Sequence, residues 1–345
     1  MLFQATLTCK LTRPINCSLY HKGKPKRVLI YLHSISGSRM EGKDMAYYVL
    51  PHFSLLVFDF VGCGLSEGKN VTLGIKEAED LKLVVNTLIQ IYKTEEIYLW
   101  GRSMGAVTAI HYLHYLDKVR KDIDFKYKQL RKLHNYRKSL SQAKPIVEKN
   151  IKQGMKQVSV LKLSCKASYY IKGVVLDSCF ANANNLVKGI IKRVIGKSEL
   201  LSDLTLFYLT NNIKNNIGVD VLSKNIPIKK VPEISVPGLF MIGDGDDMVD
   251  SKSFNDMFQQ YGSDQKKLRI LVETDHVDCR NDVDIEFGVK FLKKLSETTK
   301  QEKPDMSIDL KYAEEEEEIM RSFIQKPSKV IKRRRGLSDN SKMIK

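Results

Sequence analysis

The sequence predicts an α/β fold: a doubly wound, mostly parallel sheet with a small helical lid and a basic insertion. Three observations lead there. Short apolar runs end in turns, helical patterns alternate with them, and one serine sits between two glycines at a strand-to-helix junction. The runs span residues 27–33, 54–60, 96–100, 170–176, 237–242 and 268–272. They are near-continuous in Val, Ile, Leu and Phe, as suits parallel strands covered on both faces. Helical stretches follow at 43–50, 73–92, 104–117, 251–261 and 282–295. Within 73–92, Leu81, Val84, Val85, Leu88 and Ile91 recur at three- and four-residue spacing and form one apolar helix face. Such alternation marks a doubly wound sheet. Residues 3–20 carry the pattern of antiparallel strands at one edge.

Two segments interrupt this order. Residues 118–168 are rich in Lys, Gln and Tyr and read as a basic insertion after the helix that follows the serine. Residues 182–232 hold apolar clusters, Leu186 to Val194 and Leu204 to Leu209, suited to short helices; their place between strands makes them a candidate lid. One domain over 1–298 is expected. Residues 299–345 carry an acidic run at Glu314 to Glu318 and a basic one at Lys332 to Arg335, the pattern of a disordered tail with a short helix near 306–323.

With 345 residues and 43% hydrophobic content the chain can bury a sizeable core. No run approaches the ~18 apolar residues of a membrane span, and residues 1–10 lack the order of a secretory signal, so a cytoplasmic protein is expected. Six cysteines without a Cys-x-x-Cys pair predict neither a disulfide framework nor a metal site. No cofactor motif is present: the glycines of 59–68 are not spaced as a dinucleotide fingerprint. The formal charge of +17 is concentrated in 118–166 and 329–335. That placement suggests weak contact of the insertion with an anionic membrane surface. No motif for specific nucleic-acid recognition accompanies it.

Gly101-Arg102-Ser103-Met104-Gly105 matches Gly-x-Ser-x-Gly directly after one strand and before an apolar helix. A serine on so tight a turn needs small neighbours, and its hydroxyl projects above the sheet as a candidate nucleophile. It then needs a base, and the base an orienting acid. His276, just after the run 268–272, is the histidine in the right place. His111 and His114 lie on the helix after Ser103, and His33 ends a strand in a structural position. Residues 243–250 offer four carboxylates. Asp246 is favoured, with Asp247 and Asp244 as alternatives and Asp177, at the end of the fourth run, a further one. Backbone N–H groups of Ile35 and Met104 are the candidates for an oxyanion hole.

Together these residues resemble the α/β-hydrolase superfamily, especially its serine-aminopeptidase-like members. The resemblance rests on 31–39 (Tyr-x-His…Ser-x-Ser-Arg), 59–68 (Asp-Phe-x-Gly-x-Gly-Leu-Ser-Glu-Gly), 99–106, Leu176 to Phe180, Gly245-Asp246, and Asp275-His276 with Arg280. It covers about 15–117 and 170–296 and implies the α/β-hydrolase fold, with Ser103, Asp246 and His276 as a catalytic triad. The activity implied is a serine hydrolase acting on a small-molecule or lipid acyl ester or thioester. Ser34 stands where relatives carry Gly, so a narrowed oxyanion hole, and with it an inactive binding module, is the alternative expectation.

Overall fold

The computed structural model describes residues 3–10, 14–139, 167–195, 198–218 and 220–298. Eight strands lie in one sheet: β1 (Phe3–Lys10), β2 (Pro14–His21), β3 (Arg27–Leu32), β4 (Ser54–Phe58), β5 (Glu96–Arg102), β6 (Ile171–Asp177), β7 (Gly238–Gly243) and β8 (Lys266–Leu271). Their order is β1-β2-β4-β3-β5-β6-β7-β8. β1 and β2 pair antiparallel, as do β2 and β4. Every other pair is parallel. The six apolar runs are β3 to β8, and the edge strands expected in residues 3–20 are β1 and β2.

Helices α1 (Arg39–Lys43), α2 (Ala46–Val49), α3 (Glu77–Gln90) and α4 (Met104–Ser139) belong to the first half of the chain. The second half supplies α5 (Ala183–Ile195), α6 (Glu199–Ile217), α7 (Val221–Lys224), α8 (Ser251–Gln260) and α9 (Asp282–Thr298). Strand alternation divides the core between the two faces of the sheet. Val28, Ile30 and Leu32 of β3 pack with α3, α4 and α8, through Leu88, Ile110 and Phe254 among others. Leu29 and Tyr31 point the other way, toward Val49 of α2 and Ile285, Val289 and Leu292 of α9. Among the described residues no helix is long and apolar enough to cross a membrane.

Two helices differ from the sequence expectation for local reasons. α3 begins at Glu77 rather than near 73 because Leu73 and Gly74 adopt positive φ, at 54° and 107°, which a right-handed helix cannot contain. α4 continues past Asp117 to Ser139, so the first part of the basic segment is an extension of the helix after Ser103. Residues 118–139 contain neither Gly nor Pro and are rich in Lys and Arg, both good helix formers. The tail beyond 298 lies outside the described residues.

Gly288 lets α9 press onto the indole of Trp100, since a Cβ at that position would fall on the ring. Gly288→Ala should overpack this contact and lower stability by about 1–3 kcal/mol. Denaturant unfolding followed through the fluorescence of Trp100, the only tryptophan, measures it.

A buried polar link ties α4 to the segment between β6 and β7. His111 donates from Nε2 to Asn225 Oδ1 at 2.7 Å, and Lys230 Nζ donates to its Nδ1. Asn225 Nδ2 in turn donates to the Leu73 carbonyl at 2.7 Å. Burial, followed by the positive charge of Lys230, pushes the His111 pKa down to about 4. The unfolded imidazole takes its proton near 6.5, so this contribution to stability is complete above that pH and is lost as pH falls towards about 4. The difference is worth about 3 kcal/mol at about 1.4 kcal/mol per pH unit. His111→Gln, which can keep the bond to Asn225, should flatten the pH dependence of urea unfolding within that window.

Candidate active site

Ser103 occupies the turn between β5 and α4 with φ of +51°, a left-handed conformation that non-glycine residues rarely adopt. Its flanking glycines explain how the turn closes. A Cβ on Gly101 would fall on the Gly105 carbonyl oxygen and the Ala106 nitrogen, and one on Gly105 would fall on the Leu32 carbonyl oxygen. Ser103 N–H donates to the Asp177 carbonyl at 2.8 Å, which fixes the turn against β6.

Loops after β5, β7 and β8 bring Ser103, Asp246 and His276 into one hydrogen-bonded line. His276 Nε2 lies 3.0 Å from Ser103 Oγ, and His276 Nδ1 lies 2.9 Å from Asp246 Oδ2. All three residues are buried. With the proton on Nδ1 facing the carboxylate, Nε2 is left to accept from the serine hydroxyl. Asp246 Oδ1 accepts from the N–H groups of Met248 (3.1 Å) and Val249 (2.9 Å). Burial pushes the Asp246 carboxyl up. The His276 hydrogen bond and charge, with the Val249 N–H and Ser178 hydroxyl, outweigh it and hold the pKa below the ordinary value. An ionised carboxylate at the imidazole results.

The other carboxylates of that loop are engaged elsewhere. Asp250 caps α8, and exposed Asp244 accepts from Thr274 N–H at 3.3 Å. Asp247 is exposed. Asp177 faces Arg280, whose Nε and Nη2 reach its carboxylate at 2.8–3.0 Å. Arg280 Nη1 also donates to the carbonyls of Asp275 (3.2 Å) and Asp278 (3.0 Å), so it clamps the loop that carries His276. Arg102 reaches the same loop from the other side, donating to the His276 carbonyl at 3.0 Å and the Asp278 carbonyl at 2.6 Å.

Ile35 and Met104 both line a cavity of about 760 Å³ that opens over Ser103 and His276. Met104 is the first residue of α4, so its N–H has no partner within the helix. Ser34 N–H and Oγ both donate to Glu41 Oε2, at 3.0 and 3.1 Å. Glu41 also accepts from the Tyr31 hydroxyl at 2.9 Å and faces Arg102 at 3.5 Å. Arg39 donates to the buried Asp59 carboxylate through its backbone N–H at 2.7 Å and through its guanidinium, and Leu65 N–H donates there at 3.0 Å. These bonds tie the loop after β3 to the glycine-rich loop after β4. His33 accepts from Phe60 N–H at 3.2 Å, and burial lowers its pKa, which suits the structural position expected of it.

The far wall of the cavity is apolar. Val71, Leu186, Ile190, Ile213, Ile217 and Leu222 form much of it, and four of these come from α5 and α6. The expected lid segment therefore supplies one side of the space above Ser103. Among the described residues no cluster of His, Cys, Asp and Glu is placed to hold a metal ion.

The sequence singles out none of Glu41, Arg102 and Arg39 for a role, although Arg39 and Arg102 fall within the motifs at 31–39 and 99–106. Arg280 should matter most for stability, because its side chain and that of Asp177 are almost wholly buried. Arg280→Ala leaves a buried carboxylate unpaired and should cost about 3–5 kcal/mol, measured by chemical denaturation.

Residues 23–124 match the family described as serine aminopeptidase, S33. No curated protein sequence matches the chain. Among solved structures, the Pyrococcus furiosus esterase Pf2001 is 20% identical with a TM-score of 0.55, over 85% of this chain and 92% of that one. DcsB, solved in complex with its substrate analogue, is 12% identical with a TM-score of 0.53, over 85% of this chain and 99% of that one. By its sheet order and these likenesses, the chain has the α/β-hydrolase fold.

Proposed function

We propose that this chain is a serine hydrolase that cleaves a carboxylic ester or thioester of a hydrophobic acyl group. The fold and the matched family support hydrolase activity. The observation that carries the finer reading is the line from Ser103 Oγ to His276 Nε2 and from His276 Nδ1 to Asp246. The apolar wall of the cavity supports the choice of acyl group.

In this reading Ser103 Oγ attacks the acyl carbonyl carbon while His276 Nε2 takes the hydroxyl proton. Asp246, ionised, stabilises the imidazolium and holds its ring. The N–H groups of Ile35 and Met104 take the negative charge that develops on the carbonyl oxygen. The tetrahedral intermediate collapses, the bond to the alcohol or thiol breaks, and His276 returns its proton to the leaving group. Water then repeats the sequence on the acyl-enzyme and releases the carboxylic acid. Binding of the Ser34 hydroxyl to Glu41 favours a hole that Ser34 does not fill, which weakens the alternative of an inactive binding module.

A fluorophosphonate probe should label the wild type and leave Ser103→Ala unlabelled. Ester hydrolysis by Ser103→Ala or His276→Ala should fall on the order of 10³-fold or more. Equal labelling of wild type and Ser103→Ala would overturn the proposal.

A further inference from the structure

α6 is apolar on both sides, and among the described residues only one side is packed against the core. Leu206 and Ile213 pack against the core, and Ile213 and Ile217 line the cavity. On the opposite side Leu200, Leu204, Phe207 and Tyr208 are 73%, 59%, 70% and 65% exposed. Their three- and four-residue spacing places them in one stripe over the first half of the helix. Val194 near the end of α5 adds a further exposed apolar side chain at 78%. Single exposed apolar residues are ordinary, whereas a contiguous stripe marks a contact surface.

The charge carried by this segment of sequence selects the partner. Residues 183–217 contain five basic residues, Lys188, Lys192, Arg193, Lys197 and Lys214, against two acids, Glu199 and Asp203. Lys188 pairs with Asp203 at 2.7 Å, which offsets the acid beside the stripe. A second copy of this chain would bring the same excess of positive charge, within a total of +17. An anionic surface that also accepts apolar side chains meets both features, and that is a lipid bilayer with acidic headgroups.

We propose that the outer face of α6, with the end of α5, docks on an anionic lipid surface, seating Leu204, Phe207 and their neighbours among the acyl chains. This contact is separate from the one expected of the basic insertion. It places the helix whose inner side lines the cavity directly against the bilayer. The docking stands independently of the chemistry at Ser103.

The full chain should co-sediment with vesicles of phosphatidylcholine mixed with phosphatidylserine, and less with phosphatidylcholine alone or in high salt. The double variant Leu204→Ser, Phe207→Ser removes two large apolar side chains and should lower the partition coefficient about tenfold or more. Trp100 fluorescence checks that the variant folds. Its hydrolysis of a dissolved short-chain ester should match the wild type, and Ser103→Ala should bind vesicles normally. Failure of the wild type to bind anionic vesicles, or undiminished binding by the folded double variant, overturns the docking. So does a wild-type dimer in solution that the double variant dissociates, since the stripe would then be a contact between copies. If no form hydrolyses the ester, the hydrolase reading fails and the vesicle result still decides the docking.

Discussion

Where α4 begins, its backbone lies directly against the end of β3, with no space for a side chain at Gly105. That approach forces the chain to turn within a single residue and leaves Ser103 in the left-handed region at φ of +51°. Such a conformation costs on the order of 1–3 kcal/mol and persists only where its surroundings determine it. Here the Ser103 N–H is bonded to the Asp177 carbonyl, the Asp177 carboxylate is bonded to Arg280, and Arg280 grips the loop that carries His276. The position of the serine and that of the histidine thus follow from one connected set of close backbone contacts and buried polar bonds.

The loops above the sheet are held by buried polar bonds of the same kind. Beside apolar anchors such as Phe60, buried carboxylates hold their backbone. Asp59 gathers Arg39 and Leu65, Glu41 gathers Ser34 and Tyr31, and Glu77 accepts from Thr72 and Gly74 N–H groups at 2.7 and 2.8 Å. A carboxylate with several donors fixes several backbone positions at once, and its desolvation is offset by those bonds. Phenol, serine hydroxyl and guanidinium converge on Glu41 at the mouth of the cavity. The side chain of Ser34 has a defined partner there.

The strands were legible because burial on both faces writes itself as unbroken apolar runs, which is why residues 27–33 and 96–100 were located within two residues of β3 and β5. The turn at Ser103 was legible because its glycines are required by local geometry. The end of α4 was not, since the switch in composition at Lys118 changes surface charge without changing helix propensity. The start of α3 was missed because apolar spacing cannot register the positive φ of Leu73. Choosing among Asp244, Asp246 and Asp247 from sequence rested on a hydrophobic neighbour, Val249; in the structure only Asp246 of these three is buried. Glu41 and Arg102 meet across 61 positions of sequence, and no local pattern announces such a pair.

The length of α4 has a spatial consequence for the charge of the protein. Its first residue follows Ser103, and it runs for 36 residues to Ser139. At about 1.5 Å per residue the rest of it carries Lys126, Lys128, Arg131 and Lys132 some 30 Å or more along the axis from the serine. Charge at those positions is set apart from the cavity over Ser103, as a handle is from a mouth.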